Sequence, residues 1–403
     1  MKGISKPRLA VVTPFFPLGT RPHQGRSTYQ MLVALRERFE ITVICPIPDY
    51  PRWLAPRRFD YRRVDVNYRV PQLDVRYLSF PALPAITRPI NGATCARYIE
   101  PHLRQIDPDA ILNFWIYPQG RGALLAARRL GVPVVLGAIG SDLNAIPDGI
   151  TRRLAARTMQ QADHVITKSR ALRERAIAMG VQSEKVTAIH NGCDAKLFSL
   201  RDAGAARNAL GIDASERVIV FVGRLELTKG VVELLEAGIK IRGKYPRLRL
   251  VYIGDGPAQA RLQQTAQATE SVLTQVQFVG PSDPPQVAQW LAASDLLALP
   301  SYAEGCPNVV LEALSCGRPV VASNVGGIPE LVDERCAVLA PPRDVATLAA
   351  ALDTALQIRW DEHGIATRFG RTWNDVADEV EAVLVRVMRS RSAIAEREMV
   401  ATP

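Results

Sequence analysis

At 403 residues the chain is longer than one hydrophobic core usually serves, since single cores stop growing near about 250–300 residues, so two domains are expected. Hydrophobic residues make up 47% and charged residues 22%, which excludes intrinsic disorder, collagen and coiled coil. The net charge is +10, and no apolar run approaches the ~18 residues of a membrane-crossing helix.

Short apolar runs alternate with longer amphipathic ones. Leu9–Thr13, Ile41–Cys45, Asp74–Leu78, Ala110–Phe114, Val132–Gly137, His164–Thr167 and Lys185–Ile189 read as strands, with helices at Ser27–Arg38, Arg121–Leu130 and Thr151–Gln161. Near-continuous hydrophobicity marks strands buried on both faces, as in a parallel sheet covered by helices. The stretch Leu197–Ser215, rich in Ala, Gly and Asp, carries no strand and reads as the linker. A second series follows: Val218–Val222, Arg249–Ile253, Val276–Val279, Leu296–Leu299, Pro319–Ala322 and Ala337–Leu339. The pattern predicts an α/β chain of two tandem, doubly wound, Rossmann-like parallel-sheet domains, residues 1–196 and 197–372, facing a cleft. Residues 373–403 read as a closing helix, Trp373–Met388, packing back toward the first domain, with the last dozen residues frayed.

The apolar stretch from Leu9 is cut by Pro14 and Pro17, so it fails as a signal peptide and the protein is expected in the cytoplasm. Six single cysteines without a CxxC pair read as buried free thiols rather than zinc or redox motifs. Residues 1–100 hold 16 Lys/Arg against 7 Asp/Glu, while the other 303 hold 34 against 33. Much of that surplus lies in Arg52–Arg63, where arginines interleave with Trp53, Phe59 and Tyr61. Two readings stand: a solvated loop, or a patch that meets an anionic membrane or substrate. Nucleic acid is disfavoured, because no helix-turn-helix, zinc finger or stacking module occurs.

Ligands of open parallel sheets bind beyond the carboxyl ends of the strands, so the loops there decide function. The stretch Ser301–Pro329 follows the strand Leu296–Leu299. Gly305 and Pro307 set up a helix start and Gly317 its end, placing Glu304 over the N-terminus and Glu312 about a turn inside. Backbone N–H groups from Cys306 through Asn308 to Val309 form an anion site. Two carboxylates round such a site suggest hydroxyl recognition, one for a sugar and one for a ribose. After Val218–Val222 comes Gly223-Arg224-Leu225-Glu226-Leu227-Thr228-Lys229-Gly230. Arg224 offers a planar fork for phosphate oxygens, Lys229 a point charge, and Gly223 a close backbone approach.

Other motifs point less sharply. Ser141 and Asp142 suit either acceptor contact or helix capping before Leu143, and His190 reads as a loop histidine. Asp107-Pro108-Asp109 precedes its strand, at the end away from the cleft, and is rejected as a metal site. Gly254-Asp255-Gly256 lacks the third glycine of a dinucleotide fingerprint, which argues against a nicotinamide enzyme.

With these residues in place, the sequence resembles the family 4 glycosyltransferases of the GT-B superfamily, whose motif is two glutamates separated by seven residues, here Glu304 and Glu312. The likeness runs end to end, through the Gly223–Gly230 segment, Asn191-Gly192-Cys193-Asp194 and Gly254–Pro257; Trp115–Asn144 resembles envelope-polysaccharide members. The resemblance implies retaining transfer from a nucleotide-diphosphate sugar, uridine diphosphate favoured, with no metal or other cofactor. It implies that Glu304 holds the donor sugar and Glu312 the ribose. Arg224 and Lys229 would neutralise the diphosphate, and Gly25 would approach it from the first domain. The expected acceptor is a cell-envelope glycan or lipid-linked sugar, with the protein either free in the cytoplasm or peripheral on the inner face of the plasma membrane.

Three departures matter. Gln24 stands where many relatives carry a second glycine, Asn113-Phe114-Trp115 lacks their histidine, and Gln119 replaces a frequent Asp. The missing histidine motivates a second expectation, a catalytically weak sugar-nucleotide-binding scaffold subunit in an envelope glycan assembly. A sugar-nucleotide epimerase is a minor third.

Overall fold

The computed structural model describes residues 6–19, 24–51, 68–146, 149–268, 275–368 and 370–401. The chain divides into two compact units, one formed by residues 1–191 with 373–403, the other by 192–372.

The first unit holds seven parallel strands: β1 (Arg8–Val12), β2 (Glu40–Asp49), β3 (Asp74–Pro81), β4 (Ala110–Phe114), β5 (Val134–Ala138), β6 (His164–Thr167) and β7 (Val186–Ala188). Their order is β3-β2-β1-β4-β5-β6-β7. The central strands β1, β4, β5 and β6 are buried almost along their length, which is why their sequences show no alternation. Helices Asn91–Ile106, Arg121–Leu130, Ile150–Gln161 and Arg170–Ala178 bury Ile99, Leu124, Met159 and Leu172 in one core. A second core, on side chains such as Leu9, Val11, Val43 and Leu112, seats helix Arg26–Leu35 through Met31 and Leu32 and the last helix through Val376, Val380 and Leu384. The closing helix is longer than its sequence suggests, running Trp373–Ala401 rather than fraying after Met388. Arg38 pairs with Asp378 and Glu381 near its start, and Arg391 Nε lies 3.0 Å from Asp163, beyond the expected end.

The second unit holds six parallel strands: β8 (Arg217–Val222), β9 (Leu248–Ile253), β10 (Gln275–Gly280), β11 (Leu296–Leu299), β12 (Val320–Ser323) and β13 (Ala337–Ala340), ordered β10-β9-β8-β11-β12-β13. One apolar core fills it. The chain enters and leaves this unit at one place, where Cys193 bridges Thr372 and its N–H donates to the Arg371 carbonyl at 2.9 Å. The expected linker is displaced: the division falls at 191/192, and helix Ala203–Ala209, capped by Asp202, belongs to the second unit. All six cysteines are free thiols, and five are buried. Among the described residues no helix is long and apolar enough to cross a membrane.

Candidate functional site

Both sheets reverse strand order at the centre, β1 beside β4 and β8 beside β11. In such sheets ligands bind beyond the carboxyl ends at that reversal. In the second unit the loops after β8, β9, β11 and β12 leave at that end and are laced together by their backbones. Leu225 N–H donates to the Asp255 carbonyl at 2.7 Å, and Tyr302 N–H to the Thr228 carbonyl at 2.9 Å. Gly223 closes β8, its N–H donating to Ile253 at 2.9 Å. Several contacts here admit only glycine, two of them at Gly230 and Gly326. A β-carbon on Gly230 would stand 2.1 Å from the Pro300 carbonyl oxygen, and one on Gly326 would stand 1.9 Å from that of Glu304. Both have positive φ, 66° and 55°.

This lacing fixes the charged groups. Lys229 Nζ donates to Glu304 Oε1 at 2.6 Å, joining the loop after β8 to the loop after β11. Gly305 and Cys306 follow, half-buried, and Pro307 precedes helix Asn308–Ser315. Pro307 makes no side-chain cap hydrogen bond to that helix, whose dipole places partial positive charge at its start, Asn308 and Val309. Arg224 is exposed, and its Nε donates to Glu226 Oε1 at 2.9 Å. Glu312, half-buried on the helix, lies within electrostatic reach of the Cys193 and Cys316 thiols; burial, with the Glu312 charge assisting, pushes both thiols up to about 12. The structure thus brings Glu304 and Lys229 together, pairs Arg224 with Glu226, and sets Glu312 beside the Cys193 segment.

Sequence reasoning missed three members. Glu226 was visible within the quoted segment, but its partner was not. Gly326, under Glu304, had a signal in the Gly-Gly-Ile-Pro run. Tyr302 had none: the Arg343 guanidinium lies 4.4 Å over its ring, its hydroxyl donates to Glu233, and desolvation aided by Glu233 raises its pKa to about 12.

In the first unit Gly25 takes φ 65° at the start of helix Arg26–Leu35, with its α-carbon against the Phe15 carbonyl. Asp142 is buried, and its carboxylate accepts from Gly140 N at 2.8 Å, Ile139 N at 2.9 Å and Ile116 N at 3.3 Å. It therefore ties the turn after β5 to the turn after β4; Ser141 beside it is exposed. Desolvation raises the Asp142 pKa to about 6, against the three N–H groups that favour its charge. Asn113, in the Asn113-Phe114-Trp115 strand end, is fully buried with Nδ2 donating to the Val12 carbonyl at 2.9 Å. Gln119 Nε2 donates to the Pro46 carbonyl at 3.2 Å. An open cavity of about 840 Å³ lies at the ends of β2 and β3, lined by Tyr50, Pro51, Ala82, Leu83, Ile90 and Thr94 among others.

Asp107 and Asp109 are engaged by Arg8, whose guanidinium reaches Asp107 at 2.8 Å and whose N–H donates to Asp109 at 2.7 Å. Among the described residues no group of three or more His, Cys, Asp or Glu could hold a metal ion. His190 is half-buried. The Arg52–Arg63 run lies outside the described residues.

Residues 216–357 match the family described as glycosyl transferases group 1, and residues 24–192 the glycosyl transferase 4-like domain. The chain is 29% identical over 358 residues to a Bacillus subtilis protein named for teichuronic acid biosynthesis, glycosyltransferase TuaC, covering 85% of this chain and 87% of that protein. It is 30% identical over 317 residues to D-inositol 3-phosphate glycosyltransferase 2 of Catenulispora acidiphila, covering 72% and 73%. Among solved structures, Anabaena HepE in complex with UDP shares the fold at a TM-score of 0.64 and 20% identity, covering 97% of this chain and 100% of that one.

Proposed function

The chain belongs to the family 4 glycosyltransferases of the GT-B superfamily, and on that premise we propose that it moves a sugar from a uridine-diphosphate donor, with retention and without a metal, to a cell-envelope glycan or lipid-linked acceptor. The observation that carries this reading is the Lys229–Glu304 pair at 2.6 Å, on the loop that leads into helix Asn308–Ser315. A diphosphate laid there draws Lys229 to its oxygens and frees Glu304 for the sugar hydroxyls. Arg224, exposed and held only by a neighbouring carboxylate, turns to the same diphosphate. Gly223, Gly305, Cys306 and Pro307 shape the backbone round it, and Glu312 takes the ribose.

As the anomeric C–O bond breaks, negative charge builds on the departing phosphate. A fixed cation and a helix dipole at that point gain strength as the charge develops, so they lower the barrier rather than merely tighten binding. The acceptor hydroxyl enters on the face the phosphate leaves, and that phosphate takes its proton, so no enzyme nucleophile is required. The strand end Asn113-Phe114-Trp115 fits this route, because it holds no histidine to act as acid or base. HepE was solved with UDP, which favours uridine, and the name of TuaC favours an envelope glycan.

The absence of a histidine in Asn113-Phe114-Trp115 keeps a second reading in play, a sugar-nucleotide-binding scaffold without turnover. A panel of UDP-, GDP- and ADP-sugars, assayed for hydrolysis and transfer with and without EDTA, separates the two. Turnover with a UDP-sugar, insensitive to EDTA and abolished in Glu312→Ala, supports the transferase. Calorimetric binding without turnover supports the scaffold.

A further inference from the structure

The four helices on one face of the first sheet, Asn91–Ile106, Arg121–Leu130, Ile150–Gln161 and Arg170–Ala178, carry eleven arginines and two glutamates. The two helices on the opposite face, Arg26–Leu35 and Trp373–Ala401, carry four arginines against four carboxylates over residues 26–35 and 373–391. The two glutamates do little to offset the excess: Glu100 is shared by Arg104 and Arg129, and Glu174 pairs with Arg173. Arg97, Arg128, Arg153, Arg157 and Arg175 are exposed.

The same face carries exposed apolar residues. Among the described residues the three most exposed large apolar side chains are Ile86 at 72%, Ile150 at 60% and Ile90 at 58%. Ile86 and Ile90 lie in the turn that leads into helix Asn91–Ile106, and Ile150 opens helix Ile150–Gln161. Helices of a parallel sheet run against its strands, so their N-termini lie at the carboxyl edge, where the ligand-binding loops are. Tyr98, also exposed, stands two turns into the first of these helices.

We propose that this face lies on an anionic lipid bilayer, with its arginines among the phosphate headgroups and Ile86, Ile90 and Ile150 inserted at the carboxyl edge of the first sheet. Arginine excess alone would suit any polyanion. The isoleucines decide for lipid, because a nucleic acid or acidic glycan offers no apolar layer in which to bury them, whereas a bilayer does. This surface places the membrane at the rim of the cavity that Ile90 helps to line, where the lipid part of a lipid-linked acceptor would arrive. The inference rests on the proposed acceptor only for that purpose; binding itself needs no turnover, so either can fail alone.

The test is co-sedimentation of the full chain with vesicles of phosphatidylcholine alone or with 30% phosphatidylglycerol, at about 0.1 M salt. Binding to the phosphatidylglycerol vesicles alone is expected, with release in high salt as the Debye length shrinks. Arg128→Gln/Arg153→Gln/Arg157→Gln should weaken it about a hundredfold, at about fivefold per arginine. Ile86→Ser/Ile90→Ser, whose side chains support no core and should not affect folding, should weaken it at least tenfold. Equal binding by either variant, equal binding to both vesicle types, or tight binding to heparin with none to vesicles would overturn the proposal. Circular dichroism spectra and melting temperatures unchanged in both variants show that the loss lies at the surface.

Discussion

The two sheets share a strand order and a reversal point, yet they use polar side chains at their carboxyl ends in opposite ways. In the second unit, glycines pressed against carbonyls do the structural work, and Lys229, Glu304 and Arg224 stand where a ligand can exchange with their present partners. In the first unit the polar side chains are themselves the lacing: Asp142, Asn113 and Gln119 are buried and bound to backbone. Backbone contacts leave charge available for chemistry, whereas polar lacing consumes it. The proposed function accordingly assigns the chemistry to the second unit.

The largest effect that could break this contrast is on turnover. Lys229→Ala should lower kcat by about 10²–10³, the cost of removing one preorganised partner from a developing charge. It should leave the thermal midpoint nearly unchanged, since a partly exposed ion pair contributes about 0–1 kcal/mol. Steady-state kinetics beside a melting curve checks both numbers. If kcat falls less than fivefold, the pair is a surface salt bridge and the division of labour is wrong.

The same contrast explains what could be read from the sequence. Strand runs such as Ala110–Phe114 and Leu296–Leu299 coincide with observed strands, because burial on both faces leaves an unbroken apolar signature. The helix start at Asn308 was legible from Pro307, and the Glu304–Lys229 neighbourhood from loops at the ends of adjacent strands. The Glu226 partner of Arg224 was not, since rotamer choice within one loop leaves no pattern. Asp142 stayed ambiguous because a short carboxylate beside a turn serves ligand or backbone equally well, and only its burial decides. Helix Ala203–Ala209 was hidden by its small residues, which give no apolar stripe. The closing helix was cut short because its later anchor, Asp163, lies far away in sequence.

A smaller effect sharpens the first unit's side. Asp142→Ala leaves three backbone N–H groups without their acceptor and should destabilise the protein by about 1–3 kcal/mol. Ser141→Ala, one residue away and exposed, should change stability by less than about 0.5 kcal/mol. Urea unfolding of the two variants reads this out. Should Ser141→Ala prove the costlier, the lacing has been assigned to the wrong residue.

The smallest effect is a cancellation. Burial raises Asp142 from 3.8 to about 6, so between those values the folded protein holds a proton that the unfolded chain has released; stability from this group is full below pH 3.8 and is lost as pH rises toward 6. His164 moves the other way. Burial first, then the Arg386 and Lys185 charges, lowers it from 6.5 to about 4, so its contribution is full above 6.5 and is lost as pH falls toward 4. The two slopes oppose each other across nearly the same window, on a background of carboxylates held low by their partners, such as Glu216 beside Arg249. Asp142→Asn removes the falling slope, so from pH 4 to 6 its melting temperature should rise more steeply than that of the wild type. A difference between the two that does not change with pH would mean that the N–H groups around Asp142 outweigh its burial, and that the carboxylate is already charged at the acid end of the range.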